Sequence, residues 1–189
     1  MSQETTFSRS TLVGEVQTKL TPQAYLLPVR LVVGWDWLDA GLRKLVLAPD
    51  KVDPSSSSFV LNKFVSFLPH AGVFAPLLKY FLENPGTGGT FLLVYSVAEL
   101  LVGGLLVLGL MTRLAGFGGA VMAAALAPAF WLGSTCEDEW QIGILLVAAG
   151  AVLALTSSGR TFGLDSLLYR RFGDRPISRL PGLRLLKFW

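Results

Sequence analysis

The chain is short of the residues that build metal and redox centres. It contains one cysteine, Cys136, and one histidine, His70. A single cysteine excludes an internal disulfide and any CxxC motif, and a single histidine excludes haem held by two imidazoles. A zinc site would need several further ligands around these two side chains. We therefore predict that this chain binds neither metal nor haem.

Charge is also scarce. Only 15% of the residues are charged, against about 25% in a typical soluble domain. Apolar residues make up 52%, and the mean hydropathy is +0.55. Because this small number of charged side chains cannot cover the surface of a soluble domain, the composition predicts an integral membrane protein. Residues 1–20 lack the apolar core of a signal peptide, and we expect them to be retained.

The cations collect at one end of the chain. Because this basic tail directly follows an apolar run, we predict that it rests on anionic membrane lipid and does not bind nucleic acid. The residues concerned are Arg160, Arg170, Arg171, Arg175, Arg179, Arg184 and Lys187.

Four apolar stretches have the length of a membrane span, which needs about 20 residues to cross a hydrocarbon core of roughly 30 Å. The predicted fold is an all-α integral membrane protein, a four-transmembrane-helix bundle at residues 25–157, between cytoplasmic tails at 1–24 and 158–189. The predicted spans are Tyr25–Ala48, Thr90–Met111, Leu114–Gly133 and Trp140–Ser157.

Residues 59–83, between the first two spans, are apolar and aromatic but contain Pro69 and Pro76. Proline removes a backbone donor, so we predict two short helices broken near Pro69–Gly72 and lying at the membrane interface. The basic connection at Arg113 and the basic tail belong in the cytoplasm by the positive-inside rule. The acidic connection at 134–140 belongs outside, together with segment 59–83.

The first span carries charge on two faces. At 100° per residue, one face within about 80° holds two cations around two glycines and an indole: Arg30, Gly34, Trp37, Gly41 and Lys44. Asp36, Asp39 and Arg43 share another face, where Asp39 and Arg43 can pair at i,i+4.

Glu99 lies near the middle of the second span, where a charge costs roughly 2.5–3.5 kcal/mol. We predict Arg30 as its partner, although the two lie about 8 and 18 Å from the cytoplasmic end. Lys44 is a competing partner from the other side. A protonated Glu99 bonded to Tyr95 or to a carbonyl is the third possibility. The pair is either a structural clamp or a proton-handling site beside a quinone or an anion.

Other candidate residues carry two interpretations each. His70 either makes a local hydrogen bond or contacts a quinone carbonyl. Cys136, beside Glu137, Asp138 and Glu139, is either inert or a thiol that handles sulfur. Trp35 flanks Asp36 inside a charged helix. Arg113 either marks the inner interface or binds an anionic group.

Three stretches together resemble a known family. They are RLVVGWDWLDAGLRKL at 30–45, AELLVGGLLVLGLMTRLAGFGGA at 98–120 and LALTSSGRTFGLDSLL at 153–168. Their order and spacing are similar to those of the DoxD family, within the DoxX-like membrane proteins. The matching positions are Arg30, Gly34, Trp35, Gly41, Lys44, Glu99, Gly103, Arg113, Gly159, Arg160 and Asp165.

The resemblance implies a membrane subunit of thiosulfate:quinone oxidoreductase in the plasma membrane of an archaeon or bacterium. Thiosulfate would be oxidised to tetrathionate, quinone would accept the electrons, and a DoxA-like small subunit would be the partner. Glu99, Arg30 and Cys136 are the expected catalytic residues. The expected substrate or quinone contacts are Trp35, Lys44, His70, Tyr95 and Arg113, and the expected structural signature is Gly34, Gly41, Gly103, Arg160 and Asp165.

Two other functions stay open at this point. The chain is alternatively a non-catalytic accessory subunit that binds quinone or lipid in a terminal quinol oxidase complex. It is alternatively a small anion or proton-coupled transporter, although no inverted repeat is evident in the sequence.

Overall fold

A computed structural model describes the backbone of residues 22–133 and 137–172, and every secondary-structure element in those ranges is helical. The predicted all-helical class is therefore confirmed. Most of both predicted tails, and Cys136, lie outside the described residues. The α-helices are α1 (Leu27–Leu42), α2 (Phe64–Phe67), α3 (Ala75–Glu83), α4 (Pro85–Leu108), α5 (Thr112–Gly133), α6 (Glu137–Leu155) and α7 (Asp165–Phe172).

The ends of the long helices follow local backbone rules. A 3₁₀ turn, Pro22–Leu26, leads into α1, and a π-helical turn, Arg43–Leu47, continues it. Helix α4 begins at Pro85, five residues before the predicted span, because proline is favoured in a first helical turn. It ends at Leu108, and the left-handed backbone of the next residue, Gly109 (φ +65°), suits a glycine C-cap.

Segment 59–83 breaks where the prolines predict. The 3₁₀ turns Leu68–His70 and Gly72–Phe74 separate α2 from α3. Apolar side chains of this segment pack against Leu92, near the start of α4, and form a separate hydrophobic core. Its buried residues are Phe59, Leu61, Phe64, Phe67, Ala71, Leu78, Phe81 and Leu92.

Helix α1 packs along α4, and α5 packs along α6. Glycines bring the backbones together, which is the usual device where lipid offers no hydrophobic gain. A methyl group at Gly34 would lie 2.9 Å from Leu106 Cβ, and one at Gly41 would lie 2.8 Å from Leu100 N. A methyl group at Gly116 would lie 2.9 Å from the Gly150 carbonyl oxygen.

Large apolar side chains face outward from these helices. Val32 is 69% exposed on α1, and Leu145 is 67% exposed on α6. Among the described residues, one helix, Pro85–Leu108, is long and apolar enough to cross a membrane, while Ile142–Leu155 is apolar but shorter. Helix α1, with 16 residues that include Arg30, Asp36 and Asp39, does not qualify. Crossings beyond α4 therefore stay a prediction.

Candidate functional site

Lys44 and Glu99 form an ion pair between the end of α1 and the middle of α4. The Lys44 Nζ atom lies 2.6 Å from Glu99 Oε1 and 2.7 Å from Oε2, so the ammonium donates to both oxygens. The Glu99 side chain is 4% exposed and the Lys44 side chain 20% exposed. Lys44 lies in the π-helical turn, and such turns often occur at functional sites.

The prediction that Arg30 is the partner of Glu99 was wrong, and the register between α1 and α4 explains why. Gly41 lies against Ser96 and Leu100, which places Lys44 beside Glu99. Arg30 is roughly 21 Å from Lys44 along the helix axis, at about 1.5 Å per residue. The guanidinium of Arg30 and the carboxylate of Glu99 therefore lie at different levels of the bundle.

Tyr95 completes the surroundings of this pair. Its ring centroid is 5.7 Å from Lys44 Nζ, within reach of a cation–π interaction. Its hydroxyl donates to the Met122 carbonyl at 3.2 Å, so the possibility of a Tyr95–Glu99 hydrogen bond is not realised. The ring also lies 5.9 Å from that of Phe91, which stacks on Phe81 at 4.7 Å. A row of aromatic rings therefore connects the pair to segment 59–83.

The arrangement can hold and exchange a proton. The carboxylate is enclosed, whereas the ammonium reaches the surface of the bundle, so an approaching anion meets Lys44 first. A carboxylate held in an apolar bundle by a single cation can change its protonation state when that cation is drawn away by a bound anion.

Arg30 has a different task at the other end of α1. It is 1% exposed, and its guanidinium donates to the Ser158 carbonyl at 3.0 Å and to the Phe162 carbonyl at 2.7 Å. Phe162 has a φ of +99°, a backbone conformation that costs a non-glycine residue about 1–3 kcal/mol. Arg30 thereby holds the strained connection between α6 and α7 against α1.

Asp165 caps the start of α5 from the same connection. This carboxylate, which is 0% exposed, accepts from the Met111 amide at 2.5 Å, the Thr112 amide at 3.0 Å and the Thr112 hydroxyl at 2.6 Å. The Asp165 amide in turn donates to the Gly109 carbonyl at 2.8 Å. The sequence did not reveal this role, because the cap and the helix are separated by more than fifty residues.

Arg113 and Arg160 also lie away from Lys44. The Arg113 Nε atom donates to the Ala154 carbonyl at 3.0 Å, at the end of α6, where a cation suits the helix dipole. The Arg160 guanidinium lies 4.2 Å from the centroid of the Tyr169 ring. The structure therefore does not join Arg30, Lys44 and Arg113 into one anion site.

The remaining predicted residues divide into three groups. Gly34, Gly41 and Gly103 lie in the contact between α1 and α4, as a structural signature requires. Trp35 is 61% exposed on α1. His70 ends a 3₁₀ turn, but its side chain, like Cys136, lies outside the described part of the chain.

These features define a class: a helical protein in which, among the described residues, one helix is apolar enough to cross a membrane, an ion pair is buried, and one end of the bundle is held by side chains that bind backbone groups. The chain matches, over residues 25–188, the family model described as "TQO small subunit DoxD". It belongs to the DoxD family and is thus a TQO-related, membrane-associated subunit. No solved structure matches the chain.

Proposed function

We propose that this chain is the membrane subunit of a thiosulfate:quinone oxidoreductase, working with a DoxA-like small subunit. Family membership and the apolar helix α4 support this function. In the proposed arrangement α1, α4, α5 and α6 cross the plasma membrane, both termini are cytoplasmic, and segment 59–83 lies at the outer interface.

The observation that carries the proposal is the buried Lys44–Glu99 pair, whose carboxylate lies in the apolar helix α4. Replacing a buried ion pair with apolar side chains is often neutral or stabilising. Stability alone therefore gives little reason to place a carboxylate in an apolar helix. Ionisable groups at membrane depth typically mark pathways for protons, ions or substrates.

The overall reaction proposed here is balanced in electrons and in protons. Two thiosulfate dianions give up one electron each and join through a new sulfur–sulfur bond as tetrathionate. The quinone takes these two electrons and two protons. Glu99 is proposed to pass a proton toward the quinone, while Lys44 attracts the anion and compensates the carboxylate.

Thiosulfate is proposed to arrive from the outer side. Lys44 lies at the end of α1 nearer to segment 59–83, where the exposed Lys63 and the predicted contact His70 also belong. Cys136 stays a proposed sulfur-handling thiol in the outer connection. Arg30 and Arg113, which bind backbone carbonyls, are proposed to serve the fold.

Thiosulfate-dependent quinone reduction by the purified complex tests this assignment. Glu99→Gln should lower turnover by about 100-fold or more, since general acid–base groups contribute factors of about 10²–10⁴. The double variant Lys44→Met/Glu99→Met should keep the unfolding free energy within about 1–2 kcal/mol of wild type, because no charge is left unpaired. It should nevertheless remain inactive. Asp39→Asn, which removes an exposed partner of Arg43, is the matched control and should retain turnover.

The double variant separates a clamp from a reactive site. If it folds and turns over at the wild-type rate, Lys44 and Glu99 only hold the helices together. If Glu99→Gln alone keeps full turnover, the proton role is wrong regardless of stability.

A second candidate, an accessory subunit of a terminal quinol oxidase complex, is favoured by one observation. At least three of the six charged signature residues, Arg30, Arg113 and Asp165, bind backbone groups. A chain whose charged side chains serve mainly to hold the fold would support the assembly of a complex without catalysing a reaction. Full turnover in the double variant, with loss of the complex in Asp165→Ala, would select this function.

A further inference from the structure

An apolar groove runs between α1 and α6 on the outside of the bundle. It has a volume of about 450 Å³ and contains a single ionisable side chain, Asp36. The apolar walls include Val29, Val32 and Val33 from α1, and Leu145 and Ala149 from α6. Helices α1 and α6 make far fewer contacts with each other than α1 makes with α4, which leaves this side of the bundle open.

Asp36 lies level with part of α4, the helix that is apolar enough to cross a membrane. On one side of it, Gly34 meets Leu106 and Val107 of α4. On the other side, Gly41 meets Ser96 and Leu100 of the same helix. Because both contacts fall between Ser96 and Val107 of α4, the stretch of α1 between them lies within the hydrocarbon region if α4 crosses the membrane.

The cations of α1 and of its π-helical turn are already engaged. Arg30 binds two carbonyls, Arg43 pairs with Asp39 at 2.5 Å, and Lys44 pairs with Glu99. Asp36 makes no hydrogen bond or ion pair with any residue in the described ranges, and it interacts electrostatically with two like charges, Asp39 on the same helix and Glu99 on α4. Ionisable side chains at membrane depth typically pair with another ionisable group or with a backbone carbonyl, and the described residues supply Asp36 with neither.

We propose that this groove receives a membrane-spanning helix of the partner subunit, and that a lysine or arginine near the middle of that helix pairs with Asp36. The inference rests on the proposed membrane placement. An apolar helix matches the valine and leucine walls, and a basic side chain supplies the missing charge. A lipid chain fills the walls but brings no cation at that depth. A second copy of this chain has its own α1 cations occupied in the same way.

Photo-crosslinking in the native complex tests the proposal. Benzoylphenylalanine placed at Val32, which is 69% exposed in the groove wall, should crosslink to an apolar segment of the partner that contains a lysine or arginine within one helical turn of the crosslinked residue. Asp36→Asn should lower the crosslink yield about tenfold or more, because the partner's cation would be left unpaired. Asp39→Asn, one turn away, should leave the yield unchanged.

Charge reversal adds a second, independent readout. Asp36→Lys should abolish the crosslink, and reversing the basic residue identified in the partner to aspartate should restore it. Crosslinks to residues 173–189 of the same chain, to a second copy or to lipid alone would overturn the proposal. So would an Asp36→Asn yield equal to that of wild type.

The same preparation keeps this result separate from the proposed function. If the chain fails to fractionate with membranes, the membrane placement is wrong and both proposals fall. If the chain stays in the membrane and Glu99→Gln loses turnover while the crosslink is absent, only the docking site is wrong.

Discussion

The two ends of helix α1 use charge in opposite ways. At the Arg30 end, each buried charged group binds backbone: the guanidinium takes carbonyls of the last connection, and Asp165 takes amides at the start of α5. At the Lys44 end, a cation binds an anion directly, with a tyrosine ring beside it.

This contrast separates support from reactivity. Backbone carbonyls and amides do not change their protonation state, and the contacts of Arg30 and Asp165 with them hold separate parts of the chain together. A carboxylate and an ammonium can both exchange protons, and each depends on the other for its charge. The Lys44 end is therefore the place to look for chemistry, and the Arg30 end the place to look for stability.

The largest expected effect is loss of the fold at the Arg30 end. Asp165→Ala removes the acceptor of three hydrogen bonds and leaves buried donors unsatisfied. We expect a loss of about 3–5 kcal/mol in the free energy of unfolding, since each hydrogen bond to a charged group contributes about 1.5–3 kcal/mol. Denaturant or detergent unfolding in micelles measures it.

The matched control is Asp53→Ala, because Asp53 is an exposed aspartate whose carboxylate accepts from the amide and hydroxyl of the neighbouring Ser55. It should change stability by less than about 1 kcal/mol. Equal effects of the two substitutions would show that the cap does not stabilise the bundle end, and would remove the distinction between the two ends of α1.

Local patterns predicted much of this comparison. The 100° periodicity of α1 placed Arg30, Gly34, Trp37 and Gly41 on one face. The structure buries all four of these residues, together with Val33. The i,i+4 spacing predicted the Asp39–Arg43 pair, and two prolines predicted the break within segment 59–83.

Long-range register could not be predicted in the same way. Which level of α4 faces which level of α1 is set by where their glycines meet, and several registers bring a glycine to a glycine. That choice decides whether Glu99 meets Arg30 or Lys44. Likewise, the capping role of Asp165 depends on how the last connection folds back over Gly109, which the spacing of residues along the chain does not specify.

An intermediate effect is expected from the glycine contact that lies between the two ends. A methyl group at Gly103 would lie 2.6 Å from Leu38 Cα and 2.7 Å from the Gly34 carbonyl oxygen, so Gly103→Ala must push α1 from α4. We expect a loss of about 1–3 kcal/mol, as for other overpacked sites. Because the shift also separates Lys44 from Glu99, turnover should fall together with stability.

The neighbouring glycine is the control for this change. A methyl group at Gly104 would meet nothing within 4 Å. Gly104→Ala should therefore be neutral, or stabilising by up to about 1 kcal/mol through helix propensity. A Gly103→Ala variant as stable as Gly104→Ala would mean that the two helices do not approach as closely as described.

The smallest effect concerns backbone strain, which this comparison assigns to the Arg30 end. Phe162 is 63% exposed and has a φ of +99°, so its ring contributes little burial while its backbone is unfavourable. Phe162→Gly relieves the strain and keeps the carbonyl that Arg30 binds, whereas Phe162→Ala keeps the strain and loses the ring. Glycine should be more stable than alanine by about 1 kcal/mol, the reverse of the usual order. Thermal unfolding of the two variants in one detergent measures the difference, and an alanine variant as stable as the glycine variant would show that this end of the bundle carries no strain for Arg30 to hold.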